Sequence, residues 1–381
     1  MATQNTLTGL IPTLYAALDT VSREMVGLIP AVNRDSSVAR AAKGQTVRSP
    51  IAKAGELEDV IPGENPKNSG GTTLEYADVT IEHAKAAPIL WNGEEQKAIG
   101  HTGEYNAILA NQFADGMRKL VNSIEQSVAE KALTGASLAY GTKGTVPFGT
   151  ASDLSDFAGI AKLLDDNGAP VSDRQLVLNS TAMANLRGKQ SVLFKVNEAG
   201  TQDMLRNGMT DRVQNFALRY SGGIKAHAQG AGSGYQLNGQ SAAGLKSLAL
   251  KSGSGVLEAG DIVTIGGVKY IVGKKVSSAS DKLELNAGLI AQGNASDAIT
   301  SFGNFTPNFA FDRNAIVLAT RAPALPDGGD SADDAMMLTD PITGLSFEVR
   351  VYRQYRRVKY EVAMAWGSAV IKPEHLVVLA H

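Results

Sequence analysis

Apolar positions along this chain change their spacing several times, and each change predicts an element. Within residues 6 to 29, Ile11, Leu14, Tyr15, Leu18 and Met25 fall on one helical stripe, with Pro12 in the first turn. From Gly44 to about Leu90 the pattern becomes extended. Thr46-Val47-Arg48-Ser49-Pro50 and Val79-Thr80-Ile81-Glu82 alternate, and the stretch between them, Lys53 to Gly71, is rich in Gly, Pro and acids. That predicts a long two-stranded excursion with a solvated tip. Such a hairpin is marginal alone, so it should lie on another domain or another subunit. Next, Tyr105, Ile108, Leu109, Phe113, Met117, Leu120, Val121, Ile124, Val128 and Leu133 recur at helical spacing between Gly103 and Gly135. About 30 residues at roughly 1.5 Å each make a rod of about 45 Å, longer than the core of a small domain needs.

Beyond the rod, Leu154 to Asp166 reads as a helix stopped by Asn167-Gly168. Gln175-Leu176-Val177-Leu178 reads as a buried strand, and Asn179 or Ser180 caps a helix running through Met183 to Arg187. Residues 222 to 308 open on Gly, Ala, Ser and Gln and then become strand-rich. Val263 and Ile265 precede Gly266-Gly267, after which Val268, Tyr270 and Val272 alternate with Lys269 and Ile271, the pattern of a two-residue hairpin. Leu248 and Leu250 before it, and Leu283 and Leu285 after it, alternate as well. About 85 residues with four or more short strands predict a small β-barrel with a core of its own.

Phe309 to Arg321 is an apolar run ending in a cation, followed by Ala-Pro-Ala-Leu-Pro and an acidic loop. Gly344 to Tyr352 then opens a pair of strands that closes at Pro373-Glu374-His375. With the arm, extended loop and long helix before it, this order resembles a tailed-phage major capsid protein with the Hong Kong ninety-seven fold. The block at 222 to 308 narrows the resemblance to the P-twenty-two-type coat proteins, which carry an inserted domain. The resemblance implies an α+β capsid fold in seven parts. These are an N-terminal arm with a short helix (1–43), an extended β-hairpin loop (44–95), a spine helix with the peripheral domain (96–145) and the first part of the axial domain (146–221). The inserted β-barrel (222–308), the second part of the axial domain (309–343) and the peripheral-domain strands (344–381) complete it. It implies self-assembly into hexamers and pentamers of an icosahedral shell in the host cytoplasm. Its further partners would be a scaffolding protein, a portal protein and packaged DNA as a non-specific neighbour, with no membrane. The alternatives are an encapsulin-type compartment of the same fold or, from other classes, a phage tail or decoration protein or a hydrolase.

Composition narrows the chemistry. The 381 residues suffice for two or three domains, and the formal net charge of -2 argues against wrapping nucleic acid by neutralising phosphates. No cysteine is present, which removes disulfides, thiolate metal sites and thiol nucleophiles together. No run of roughly 18 apolar residues and no signal-peptide pattern occurs, so a soluble cytoplasmic chain is expected. The histidines His83, His101, His227, His375 and His381 have no ligand spacing. Gly230, Gly232 and Gly234 lack the final glycine and preceding strand of a nucleotide-binding turn and read as a flexible junction. The adjacent carboxylates Asp165-Asp166 and Asp333-Asp334 read as solvated surface. No catalytic, cofactor or metal residue is therefore assigned, and an enzyme is not expected. One concentration of charge remains: Arg350, Arg353, Arg356, Arg357 and Lys359. It reads as a solvated strand pair with local salt bridges, as a nucleic-acid contact, or as an intersubunit contact with acidic loops, for which Glu56, Glu58, Asp59 and Glu64 are candidates.

Overall fold

The structure is a computed structural model that describes residues 10–22, 26–52, 62, 74–99, 104–189, 212–340 and 343–381. The N-terminal third runs α1 (Ile11–Ser22), α2 (Leu28–Ala31), β1 (Asn33–Ala41), β2 (Thr46–Ala52), β3 (Leu74–Thr80), β4 (His83–Asn92), α3 (Gly93–Ile99) and α4 (Glu104–Gly135). The middle holds β5 (Leu138–Tyr140), α5 (Ser155–Asp166), β6 (Arg174–Leu178), α6 (Ser180–Lys189), β7 (Arg212–Val213) and β8 (Phe216–Tyr220). Then follow β9 (Gln236–Leu237), β10 (Ser247–Lys251), β11 (Ile262–Ile265), β12 (Val268–Ile271), β13 (Lys282–Glu284) and β14 (Thr300–Ser301). The last stretch supplies β15 (Pro307–Asp312), β16 (Ile316–Pro323), β17 (Asp334–Thr339), β18 (Ser346–Gln354), β19 (Arg357–Val370) and β20 (Leu376–Ala380).

Among the described residues two large sheets form, so the chain is α+β. One has the order β14-β11-β12-β5-β20-β15-β6-β8-β7. The other runs β1-β16-β19-β18-β17, and β4 joins it on β19. Because β18 and β4 pair with the same residues of β19, from Arg357 to Ala363, they occupy opposite edges of that strand. The apolar stripe of α4 bridges the two sheets. Its N-terminal half lies on the six-stranded sheet, where Phe113 meets Tyr360 edge-on at 5.6 Å and Gln112 accepts a hydrogen bond from the Trp91 indole at 2.8 Å. Its last turn is held by the β-rich block, because the Asn286 amide donates to the carbonyls of Thr134 and Ala136 at 2.7 and 2.8 Å. Those carbonyls have no acceptor role left inside the helix, so the cap comes from another part of the chain. Leu109, Phe113, Met117, Ile124 and Val128 thereby share one buried core with Phe347, Val362 and Trp366 from one sheet and Phe309, Phe311 and Val378 from the other.

Several local readings hold in detail. Asn179 caps α6 by accepting from the Ala182 amide at 2.8 Å, and Gly168 ends α5 with φ +71. Ile265 faces Val268 across Gly266-Gly267, whose φ values of +58 and +84 are those a type I′ turn demands.

The tertiary arrangement departs from expectation in four places. The described part of 1–43 is not a detached arm: Leu14, Ala17 and Leu18 are buried against α4, and β1 pairs parallel with β16 from Asn33↔Val317 onward. Within 44–95, β2 and β3 form a two-stranded ribbon, whereas β4 belongs to the six-stranded sheet. Residues 222–308 do not keep a core of their own. β12 pairs with β5 at Tyr270↔Leu138, and Leu248, Val263, Tyr270 and Leu283 share a core with Phe157, Leu176 and Leu379. Finally, β20 leaves the strand pair of 344–381 and sits between β5 and β15 in the nine-stranded sheet. The reason is common to all four. Alternation fixes that a segment is a strand but not which edge it meets.

Candidate assembly surface

The β18–β19 hairpin carries the predicted cationic cluster, and its two ends behave differently. At the inner end Glu348 is buried and receives a two-pronged contact from Arg40 of β1, Nη1 at 3.2 Å and Nη2 at 2.5 Å. That pairing pushes the Arg40 guanidinium pKa up. Arg350, 7% exposed, lies 3.8 Å from Glu348 and 2.9 Å from Asp330. Tyr352 donates to Asp330 at 2.8 Å, and burial together with that bond pushes its hydroxyl up to about 12. Arg350 is thus enclosed by its own chain and is not available to a neighbour, a correction to its expected role.

Toward the turn the charges become exposed. Arg353 pairs with Asp333 at 3.4 Å, and Lys359 pairs with Glu361 and sits over the Tyr352 ring at 5.4 Å. Local acids therefore satisfy both. Arg356 takes φ +53 at the turn and stacks beside Tyr355, which is 87% exposed. Among the described residues neither Arg356 nor Arg357 forms an ion pair. Both border an open groove of about 710 Å³ with Trp91, Asn92, Gly93 and Tyr355. A second groove of about 730 Å³ runs between β4 and α4, bordered by Lys85, Pro88, Leu90, Ile108, Asp115 and Lys119. The candidate acidic partners Glu56, Glu58, Asp59 and Glu64 lie outside the described residues.

The β2–β3 ribbon is the other feature a lone chain leaves uncovered. Seven residue pairs, from Thr46↔Thr80 to Ala52↔Leu74, form a two-stranded sheet that no further strand joins among the described residues. Val79 packs at its base with Val317 and Ala365, while Tyr76 further out is 55% exposed. Its length is about 20 Å at 3.3 Å per residue.

The remaining predicted groups have structural roles. Asp165 anchors the buried Arg174 at 2.6 Å, and Asp166 pairs with Lys162 at 2.5 Å. His227 Nε2 lies 2.7 Å from Asp261, which is fully buried, whereas His83 and His375 stand elsewhere with pKa values lowered by burial. No grouping of three or more metal-ligating residues occurs among the described residues. The glycines near 230 form a packed corner and not a flexible junction. The Gly230 amide donates to Asp261 at 3.1 Å, and a Cβ there would fall 2.2 Å from the Val256 carbonyl oxygen.

Sequence reading missed Glu125. This carboxylate is 2% exposed on α4 and accepts from the amides of Gly27, Leu28 and Ile29 at 2.9, 2.7 and 3.0 Å, and from the Ser221 hydroxyl at 2.6 Å. Burial raises its pKa, and the four hydrogen bonds oppose that rise. A signal was present, since Glu125 stands four residues after Val121 and three before Val128, in line with the buried stripe. What it ties together is the N-terminal segment, the long helix and the exit from β8.

No family model and no curated protein matches the chain. Among solved structures it is similar to a chain from Mycobacterium phage Che8, with 13% identity, 88% of this chain and 85% of that chain covered, and a TM-score of 0.45. It is also similar to a chain in the capsid structure of the cyanophage P-SCSP1u, at 14% identity, 94% and 88% coverage and a TM-score of 0.45. A third likeness is to a virus-like particle from Pyrococcus furiosus, at 10% identity, 97% and 98% coverage and a TM-score of 0.45.

Proposed function

We propose that the chain is the major capsid protein of a tailed bacteriophage, a non-enzymatic subunit whose copies close into hexamers and pentamers of an icosahedral shell around DNA. The observation that carries this reading is the β2–β3 ribbon, an extended element with an exposed Tyr76 and no covering strand among the described residues. A two-stranded ribbon gains its stability from what it lies on, and a neighbouring copy supplies that surface. Head-to-tail contacts of this kind close into rings. On this reading the cationic turn narrows to Arg353, Arg356 and Arg357, which meet Glu56, Glu58, Asp59 or Glu64 of an adjacent copy. Arg350 and Lys359 drop out because their own chain both pairs and covers them, at 9% and 28% side-chain exposure, whereas Arg353 is 49% exposed in its pair with Asp333 and stays open to a neighbour. A scaffolding protein, a portal at one vertex and packaged DNA as a non-specific neighbour complete the partner set, in the virion and in the host cytoplasm where it assembles.

Negative-stain microscopy and light scattering of the purified chain, with and without the scaffold encoded beside it, test the proposal. Closed shells or sheets tens of nanometres across are expected. A monomer at high concentration with scaffold present would overturn it, and shells filled with protein cargo in place of nucleic acid would move the reading to an encapsulin-type compartment.

A further inference from the structure

We propose that Arg34, Arg212, Arg219 and Arg313 build a binding site for a phosphate-class oxyanion, at the β6-β8-β7 end of the nine-stranded sheet. This inference does not depend on the shell reading. The four residues are far apart in sequence. The strand order β15-β6-β8-β7 brings Arg313, Arg219 and Arg212 together, and β1 adds Arg34 from the neighbouring sheet.

A single carboxylate organises three of them. Arg313 Nε lies 3.2 Å from Asp173 Oδ2, and Arg212 Nη2 lies 3.8 Å from Asp173 Oδ1. The Gln175 amide, 1% exposed, donates to Asp173 at 2.7 Å and accepts from Arg219 Nε at 2.9 Å. Arg219 is thus held by a neutral partner. It stands near enough to Arg313, Asp173 and Arg34 to feel all three charges: its pKa is lowered first by burial and then by Arg313, Asp173 opposes, and Arg34 adds a smaller lowering. Arg34 is lowered in the same way, by burial and then by Arg313, with Asp340 opposing. Asp340 is itself buried and occupied by the Thr343 amide at 3.0 Å. Among the described residues Asp173 thus serves both Arg212 and Arg313, while Asp340 acts on Arg34.

A half-buried guanidinium held only by a neutral amide, as Arg219 is, has lost part of its hydration, and a bound anion restores what was lost. The arrangement suits an oxyanion in particular, because planar guanidinium forks bind phosphate oxygens two at a time and Gln175 fixes one fork in advance. The Arg212 and Arg313 side chains are 51% and 38% exposed, so the site opens to solvent, while Arg219 is half-buried, where pairing is stronger than in open water. Either inorganic phosphate or a nucleic-acid backbone supplies that group. The net charge of -2 gives no general attraction for polyanions, so DNA binding through this site would involve few phosphates and a shallow salt dependence.

The test uses the purified full chain, titrated with inorganic phosphate by calorimetry and with a labelled DNA duplex by fluorescence anisotropy, at about 50 and 200 mM salt. Wild type is expected to bind phosphate and to melt at a higher temperature in its presence, since a ligand of the native state stabilises it. R219Q, which removes the cation that the Gln175 amide holds, should weaken binding about tenfold and abolish the melting shift, whereas K274Q, at an exposed position elsewhere, should leave both unchanged. If R219Q does not fold, R212Q at the exposed rim takes its place. DNA binding lost with the same substitution and competed by phosphate identifies the backbone as the source; phosphate binding alone identifies the free ion. The proposal is overturned if neither probe binds, or if the arginine variant and K274Q bind equally well.

Discussion

Glu125 and Glu348 are both carboxylates 2% exposed, and the chain stabilises them by opposite means. Glu125 meets only neutral donors, three backbone amides and one hydroxyl, all of which point at it from segments distant in sequence. Glu348 meets two arginines, one from β1 and one two residues along its own strand. The first is a charge dissolved in peptide dipoles; the second is a charge neutralised by partners. The difference shows in their electrostatics. Burial lifts the Glu125 pKa, while on the other side Glu348 itself lifts the Arg40 guanidinium. Each carboxylate fastens a long-range junction. Glu125 holds residues 27–29 and 221 to the long helix, and Glu348 holds β1 to β18 through Arg40.

The comparison breaks most visibly at Glu348. E348A strands a buried Arg350 and a partly buried Arg40, and should cost about 3 to 5 kcal/mol in chemical denaturation. E348Q should recover little of this, because an amide returns no negative charge. A cost of E348A under about 1 kcal/mol would mean that Asp330 alone satisfies Arg350.

At Glu125, alanine leaves four donors without an acceptor and should cost about 2 to 4 kcal/mol. Glutamine keeps an acceptor and removes the desolvated charge, so E125Q should lie much nearer wild type, the reverse of the pattern at Glu348. The sign with pH follows from the raised pKa. Stability from the protonated group is fully present below the pKa of the unfolded chain and is lost as pH rises through the higher folded value. Wild type should therefore lose stability over that acid-side window relative to E125Q, and parallel pH profiles of the two would remove Glu125 as the cause.

The exposed turn sharpens the contrast from the other side. Replacing Arg353, Arg356 and Arg357 together by alanine should change subunit stability by about 1 kcal/mol or less, since the one ion pair lost, Arg353 with Asp333, is solvent-exposed. Under the proposed function assembly should nevertheless fall, and fall more at low salt, where charge pairing between copies counts most. Unaltered assembly at low and high salt would discard the intersubunit pairing.

The effect at Tyr352 shows only in alkali and leaves stability at neutral pH untouched. Its hydroxyl is pushed up to about 12, so the folded chain keeps that proton after the unfolded chain loses it near the ordinary value of about 10. Stability from this group is present below about 10 and declines as pH rises toward about 12. A phenolate absorbance titration should show one tyrosine ionising late, and D330N should shift it earlier.

Local rules made much of the fold legible. The stripe from Ile108 to Leu133 gave the long helix within a residue or two, Gly266-Gly267 gave its hairpin, and Asn179 its cap, because each depends on residues within a turn or two of one another. The site was less legible. Alternation at 344–352 marked the strands, but only tertiary placement separated Arg350, closed in by Asp330 and Glu348, from Arg356 and Arg357 at the open turn. Glu125 looked like one acid among many until the N-terminal segment arrived over it.

By itself, then, the sequence determined element types, turn chemistry, the lack of thiol chemistry and a near-neutral charge, all of which follow from composition and short-range geometry. The tertiary structure alone decided that β1 pairs with β16 across more than two hundred residues, that β12 continues the sheet of β5, and that the distant Arg212 and Arg313 share Asp173. The physical reason is that a strand's side-chain period is the same whichever edge it joins. Partner choice is settled by packing across the whole core, which no local window contains.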